Sequence, residues 1–229
     1  MCPGGPPYAE VTFFGATDHD IFQMSPPFIL DQSFSDSNGS GRGIASLPSG
    51  QLKATATADP ASTGFSAIAT GVDTFTLGGL APGTPVTITA TLDAAGTGLI
   101  PIAGGSGSAM IQLGPFGGAQ AFDRKVVQAG NQVPVDQTFF MNLFTSVPLN
   151  ETVGTPFPFD YFLRLDAANL GASFDFLSTA TLKFTLPQGV TISSEGNYSP
   201  ASVPEPATVA LVAPGLLALG AFRRWRQHA

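Results

Sequence analysis

Glycine and proline interrupt this chain so often that few stretches longer than ten residues are free of both. The 229 residues include 27 glycines and 20 prolines. Proline lacks a backbone N–H and glycine loses much conformational freedom on folding, so long helices are not expected. Short strands joined by many turns are expected instead, and the length suffices for one such domain plus a short appendage. The predicted fold class is therefore all-β, an antiparallel, jelly-roll-like β-sandwich.

Alternation of apolar and polar residues locates the strands. It is clearest at residues 51–57, 85–92 and 181–186, where every second side chain is apolar and is expected to face the core. An aromatic stripe at residues 157–165 is also expected in the core, and Pro158 within it indicates an edge position or a strand start. Further strands are predicted at residues 10–14, 73–77, 108–113, 121–128, 137–143 and 190–192. The polar, glycine-rich residues 31–43 are predicted to form a loop.

The C-terminal segment has a different composition from the rest of the chain. Residues 207–222 carry no charge, and Arg223, Arg224 and Arg226 follow them. As a helix the run spans about 24 Å, which is short for a permanent anchor in a hydrocarbon core of about 30 Å. By the positive-inside rule the arginines keep the tail cytoplasmic and place the β domain across the membrane. The alternative, a buried helix of a soluble domain, is disfavoured by Pro214 and Gly215 at its centre.

Residues 203–229 resemble the PEP-CTERM sorting signal. The resemblance rests on Val203-Pro204-Glu205-Pro206, the apolar run after it and the basic end, in that order. It implies an exported protein that is held briefly in the membrane and processed by an exosortase, a membrane-embedded cysteine protease, at or near Pro204-Glu205-Pro206. The two prolines suit this role because they keep the segment extended and outside the helix. A place in biofilm or extracellular matrix is implied by association.

These observations divide the chain into four predicted parts. Residues 1–7 are a disordered N-terminus, 8–194 the β-sandwich and 195–202 a polar linker. Residues 203–229 are the sorting signal, with a single transmembrane helix at 207–222 and a basic tail at 223–229. The N-terminal signal peptide of an exported protein is not visible in this sequence, so we expect the natural start to lie upstream of Met1.

The net charge and the scarcity of reactive side chains limit the functions that this chain can have. Outside the three C-terminal arginines the chain has 6 basic and 16 acidic residues, a net charge of −10, which disfavours nucleic acid as a partner. His19, between Asp18 and Asp20, is interpreted as part of a solvated turn rather than a metal site or a catalytic triad. Residues 36–39 resemble half a calcium loop but lack the downstream glutamate. No catalytic residue, metal or cofactor is predicted.

Two functions follow from this sequence, and a third stays open. The first is a non-enzymatic surface or extracellular-matrix protein, with an exosortase and the membrane as partners. The alternative is a secreted carbohydrate-binding module of the exopolysaccharide matrix, which predicts an exposed aromatic or acidic cleft. The scarcity of Trp and Tyr beside 19 phenylalanines speaks against exposed platforms for sugars. A secreted hydrolase is the third hypothesis.

Overall fold

Every regular element is a β-strand in the residues that the computed structural model describes, which are 7–129, 137–177 and 180–199. They form two antiparallel sheets of seven strands each. Sheet A contains β2 (Asp18–Gln23), β1 (Tyr8–Phe14), β6 (Phe65–Gly78), β11 (Pro156–Ala167), β8 (Ser106–Pro115) and β9 (Ala121–Gln128) in spatial order, with β14 (Thr191–Ser194) beside β6. Sheet B contains β10 (Gln137–Thr152), β7 (Pro85–Ile100), β12 (Ser173–Asp175), β5 (Gln51–Ala58), β4 (Gly39–Ser46) and β3 (Ile29–Asp36), with β13 (Ala180–Thr185) beside β5 and β7.

The two sheets enclose one apolar core, and the alternation of the sequence decides which side chains enter it. In β11 the four inward residues from Phe159 to Leu165 are at most 1% exposed. Leu52, Ala54 and Ala56 of β5 and the inward residues of β7 are buried in the same cluster. The all-β antiparallel class, its sandwich-like arrangement and the predicted core stripes are therefore confirmed.

The predicted loop at residues 31–43 is wrong, because β3 and β4 form a hairpin there. The glycines of this segment, which suggest a loop in the sequence, are small inward-facing residues of β4. A Cβ atom at Gly41 would lie 2.8 Å from the Phe65 ring and 2.7 Å from the Thr55 carbonyl oxygen. Glycine therefore lets the large side chains of sheet A approach the backbone of sheet B.

Several predicted strands continue further than their patterns indicate. β6, β7 and β10 have 14, 16 and 16 residues, and β2 and β12 were not predicted. β11 lies between β6 and β8, so the edge alternative for Pro158 is wrong and the strand-start alternative fits. Pairing with β8 begins only at Phe159, and Pro158 thus lies outside that ladder, where its missing N–H is tolerated.

The globular body continues past residue 194. Gly196 N donates a hydrogen bond of 2.8 Å to Asp73 Oδ1, and Ser199 N donates to the Pro48 carbonyl at 2.9 Å. Tyr198 is 6% exposed, and its hydroxyl donates to the Leu182 carbonyl at 3.0 Å. Residues 195–199, the first part of the predicted linker, are consequently fastened to the body.

The remaining C-terminal predictions lie outside the described residues. They comprise residues 200–202 of the linker, the motif Val203, Pro204, Glu205 and Pro206, the span 207–222, and the tail with Arg223, Arg224 and Arg226. Across the described ranges there is no helix of the length and apolarity needed to cross a bilayer.

Candidate functional site

His19 and its two acidic neighbours do not converge on a metal site. His19 lies in β2 and not in the turn that the sequence suggests; it is exposed, pairs with Phe13 of β1 and stacks on Phe34 with ring centroids 4.9 Å apart. Asp18 and Asp20 are on the opposite face of β2, because successive strand residues alternate. Across the described part of the chain, no three His, Cys, Asp or Glu side chains are grouped so that they could hold a metal ion.

Asp36, in the segment that resembles half a calcium loop, accepts hydrogen bonds from four backbone N–H groups. Its Oδ2 accepts from Ala16 N at 2.7 Å and from Thr17 N at 3.1 Å, whereas Oδ1 accepts from Asn38 N at 2.7 Å and from Gly39 N at 3.3 Å. Burial raises the pKa of Asp36, but the four N–H groups outweigh it and hold the pKa below its ordinary value. The carboxylate thus ties the β1–β2 turn to the β3–β4 turn and faces donors rather than a cation.

The outer face of sheet A carries a more promising arrangement. The strand registers align six outward side chains across the sheet, and we name them the cross-strand row: Phe22, Glu10, Thr70, Phe162, Gln112 and Phe122. Aromatic rings stand at the first, fourth and sixth positions, and side chains that form hydrogen bonds stand between them. With about 4.8 Å between strands, the row is about 24 Å long.

A depression of about 290 Å³ lies over β2, β1, β6 and β11 of this face, with Glu10, Thr70 and Phe162 in its lining. Phe122 is 66% exposed at the β9 end, whereas the other members of the row are partly exposed. A neighbouring second row of Asp20, Thr12, Ile68, Arg164, Met110 and Arg124 runs parallel to the first. The face therefore combines accessible rings with acidic, hydroxyl and amide groups.

A hydrogen-bond network at Asp166 fixes the cationic groups of the face. Arg164 Nε donates to Asp166 Oδ1 at 2.8 Å, and Ser66 donates to the same oxygen at 2.7 Å. Ser108 Oγ donates to Asp166 Oδ2 at 3.0 Å and accepts from Arg124 Nη2 at 3.2 Å. Both guanidinium groups are thus already engaged within the protein.

Glu10 is one of the two acidic residues that line the depression, together with Asp20. Its Oε1 accepts from the Thr12 hydroxyl at 3.1 Å. Desolvation by burial raises the pKa of Glu10, the Thr12 hydrogen bond lowers it, and the negative charge of Asp20 raises it again, with a net increase. A half-buried carboxylate of this kind is stabilised when a ligand donates hydrogen bonds to it from hydroxyl groups.

A second exposed apolar surface lies where the edges of the two sheets meet. β9 and β10 enclose a groove of about 620 Å³, and beside it Phe140 and Phe144 are 86% and 61% exposed. Phe144 N donates to Asp123 Oδ2 at 3.0 Å, so a side chain of β9 occupies a backbone donor on this edge of β10. Pro148, four residues later, faces the same edge and has no N–H, so neither of these two positions offers a donor to another strand.

Sequence reasoning missed the outward side chains. The aromatic stripe at residues 157–165 predicts only the inward face of β11, whereas Phe162 and Arg164 lie on the other face of the same strand. The signal available in the sequence was an aromatic residue at a polar position of an alternating strand, as for Phe122 and Phe140. That signal does not show that Phe122 and Phe162 share a row, because the register depends on pairing between distant segments.

No family model matches the chain, and no curated protein matches it. Among solved structures, TmCBM61 in complex with β-1,4-galactotriose is similar over 71% of this chain and 90% of its own, with 8% identity and a TM-score of 0.31. A cyclase from Fischerella sp. TAU is similar over 77% and 90%, with 12% identity and a TM-score of 0.31. Bacteriophage CBA120 tailspike protein 4 shares 9% identity over 78% of this chain and 19% of its own, with a TM-score of 0.25. At these scores the function must be argued from this chain's own residues.

Proposed function

We propose that this chain is an exported, non-enzymatic surface or matrix protein that an exosortase sorts and cleaves through its C-terminal segment. The observation that carries the proposal is the order of three parts at residues 203–229: Val203-Pro204-Glu205-Pro206, an uncharged run and three arginines. In this proposal a jelly-roll-like body precedes a single transmembrane helix at residues 207–222, with Arg223, Arg224 and Arg226 in the cytoplasm.

The end of the described body supports this arrangement. Residues 195–199 are held by Asp73, Leu182 and Pro48, so the packed part of the body reaches Ser199, five residues ahead of Pro204. A protease that binds extended peptide needs a recognition segment free of the fold. Pro204-Glu205-Pro206 begins five residues after Ser199, the last described residue of the body, and in this proposal it is the extended segment that the protease binds.

Export of the full chain in a bacterium that has an exosortase tests the proposal. One variant replaces Pro204, Glu205 and Pro206 with alanine, and it should stay membrane-bound at the unprocessed mass while the wild type is released at a lower mass. A matched control replaces two prolines and a glutamate in the body with alanine: Pro158, Pro187 and Glu195. These residues are exposed, and the control variant should be processed like the wild type. Equal mass and location for wild type and motif variant would refute the sorting role.

Carbohydrate binding is the second candidate, and the outer face of sheet A favours it. The alternative derived from the sequence requires an exposed aromatic or acidic cleft, and the cross-strand row combines Phe122 and Phe162 with Glu10 beside a depression. Rings that stack on the apolar faces of sugars, with polar neighbours that bind their hydroxyls, are a combination suited to polysaccharide. Retention of the full chain on insoluble polysaccharide tests this candidate.

A further inference from the structure

We infer that the cross-strand row on the outer face of sheet A binds an uncharged polysaccharide, whose chain lies across the strands from Phe22 to Phe122. This inference rests on the second candidate function, carbohydrate binding, and names its site and ligand class. It does not depend on sorting, because none of the residues involved lies in the C-terminal segment.

The spacing of the rings fits an extended chain rather than a single sugar. Phe22 and Phe162 are three strands apart and Phe162 and Phe122 are two strands apart, which gives separations of about 14 and 10 Å. A ligand that contacts all three rings must therefore be an oligomer. An extended oligosaccharide has repeating apolar faces that can stack on rings at such intervals.

The residues between the rings supply the directional contacts that a sugar requires. Glu10 and Thr70 lie between Phe22 and Phe162, and Gln112 lies between Phe162 and Phe122. The carboxylate accepts hydrogen bonds, whereas the hydroxyl and the amide both donate and accept. Rings alternating with such groups match a polymer whose apolar faces alternate with hydroxyls, and a purely apolar partner would leave these groups unpaired.

Charge on this face selects against acidic polysaccharides. Glu10 and Asp20 line the depression, and they repel uronate and sulfate groups. The two arginines of this face do not offset that charge, because Arg164 is paired with Asp166 and Arg124 lies on β9, four strands or about 19 Å from Glu10. An uncharged glycan avoids the repulsion and still donates hydroxyls to Glu10.

Binding of the purified full chain in mild detergent to three hexasaccharides tests the inference by calorimetry. The probes are a β-1,4-linked glucose hexamer, a β-1,4-linked galactose hexamer and a mannuronate hexamer. We expect at least one uncharged hexamer to bind and the mannuronate hexamer not to bind. Phe122→Ala and Phe162→Ala should each weaken binding about tenfold, the usual size for a truncated anchor. Glu10→Gln keeps a side chain able to form hydrogen bonds but removes the negative charge. It should therefore reduce the difference in affinity between the uncharged hexamers and the mannuronate hexamer.

Phe140→Ala is the matched control, because Phe140 is an exposed phenylalanine on an edge strand of the other sheet. It should leave affinity unchanged. Phe122 is so exposed that its truncation should leave the thermal unfolding midpoint in place, which separates lost contacts from lost folding. If Phe140→Ala weakens binding and Phe122→Ala does not, the site is wrong while carbohydrate binding stands. If the wild type binds none of the hexamers, both the inference and the second candidate function fail, whereas tighter binding of mannuronate refutes the ligand class.

Discussion

Asp73 should make the stability of the body fall as pH rises above the ordinary pKa of an aspartate. Its side chain is 1% exposed, Oδ1 accepts from Thr74 N and Gly196 N at 2.8 Å each, and Oδ2 has no hydrogen-bond partner. Desolvation by burial raises the pKa above 3.8, and the neighbouring Ser194 hydroxyl and the N–H groups of Gly196 and Thr74 lower it by less. The folded state thus disfavours the charged form.

The sign follows from proton linkage. Between 3.8 and the raised pKa of the folded state, the folded protein binds more protons at Asp73 than the unfolded chain does. The favourable contribution is therefore complete below 3.8 and is lost as pH rises through the folded pKa, by at most about 1.4 kcal/mol per pH unit. Asp73→Asn keeps an acceptor for the two N–H groups and removes the titration, so its stability relative to wild type should increase with pH.

The size of the structural contribution follows from the two backbone donors. Asp73→Ala leaves Thr74 N and Gly196 N without their acceptor, and each buried donor left unpaired costs about 1–3 kcal/mol. We expect a loss of about 2–4 kcal/mol in the free energy of unfolding for Asp73→Ala, and fraying of residues 195–199 before the rest of the body. Hydrogen exchange at Gly196 and Tyr198 should detect the fraying.

Urea denaturation of the full chain in mild detergent, followed by far-UV circular dichroism at several pH values from about 4 to 7, measures both effects. Asp175→Asn serves as the control, because Asp175 also accepts a backbone N–H but is exposed. Its difference from wild type should not follow the trend of Asp73→Asn. A difference between wild type and Asp73→Asn that does not change with pH would refute the linkage, and a loss under about 1 kcal/mol for Asp73→Ala would refute the role of the two hydrogen bonds.

Two further substitutions test the turns and the core. Asp36→Ala should lower the free energy of unfolding by about 1–2 kcal/mol, since four N–H groups lose a partially solvated acceptor. Because the pKa of Asp36 is lowered in the folded state, the difference between variant and wild type in urea denaturation should shrink as pH falls through that pKa. A difference that stays undiminished at acid pH would contradict this role of the carboxylate. Gly41→Ala should lower the free energy of unfolding by about 1–3 kcal/mol by overpacking against the Phe65 ring. Adding Phe65→Leu to this variant should recover part of the lost stability in thermal unfolding. If the destabilisations of the two single variants simply add in the double variant, the contact between Gly41 and Phe65 is contradicted.

Strand prediction from the sequence is correct where alternation of apolar and polar residues alone decides burial. The hairpin of β3 and β4 shows why the same pattern does not identify every strand. The inward face of β4 has only glycines at residues 39–43, and on the inward face of β3 the polar Gln32 and Asp36 flank Phe34, so neither strand shows a run of alternating apolar residues. Gly39 and Gly41 lie against Phe65 and Gly43 lies against Val11, and both of these sheet A residues are distant in sequence from the hairpin. Local composition could not reveal these contacts, because glycine in a turn and glycine under a large ring look alike in the sequence.

Strand register explains why the cross-strand row was not predictable while its individual residues were visible. Phe162 and Phe122 are forty residues apart in sequence, and only the pairings of β11 with β8 and of β8 with β9 bring them into line. A shift of one residue in either pairing would move Phe122 or Gln112 to the core face. The inward stripe of β11 fixes which face of that strand is buried, and pairing with the buried residues of β8 fixes the rest. The apolar pattern that made the core predictable therefore also positions the outer row, so the candidate site depends on the packing of residues that never contact a ligand.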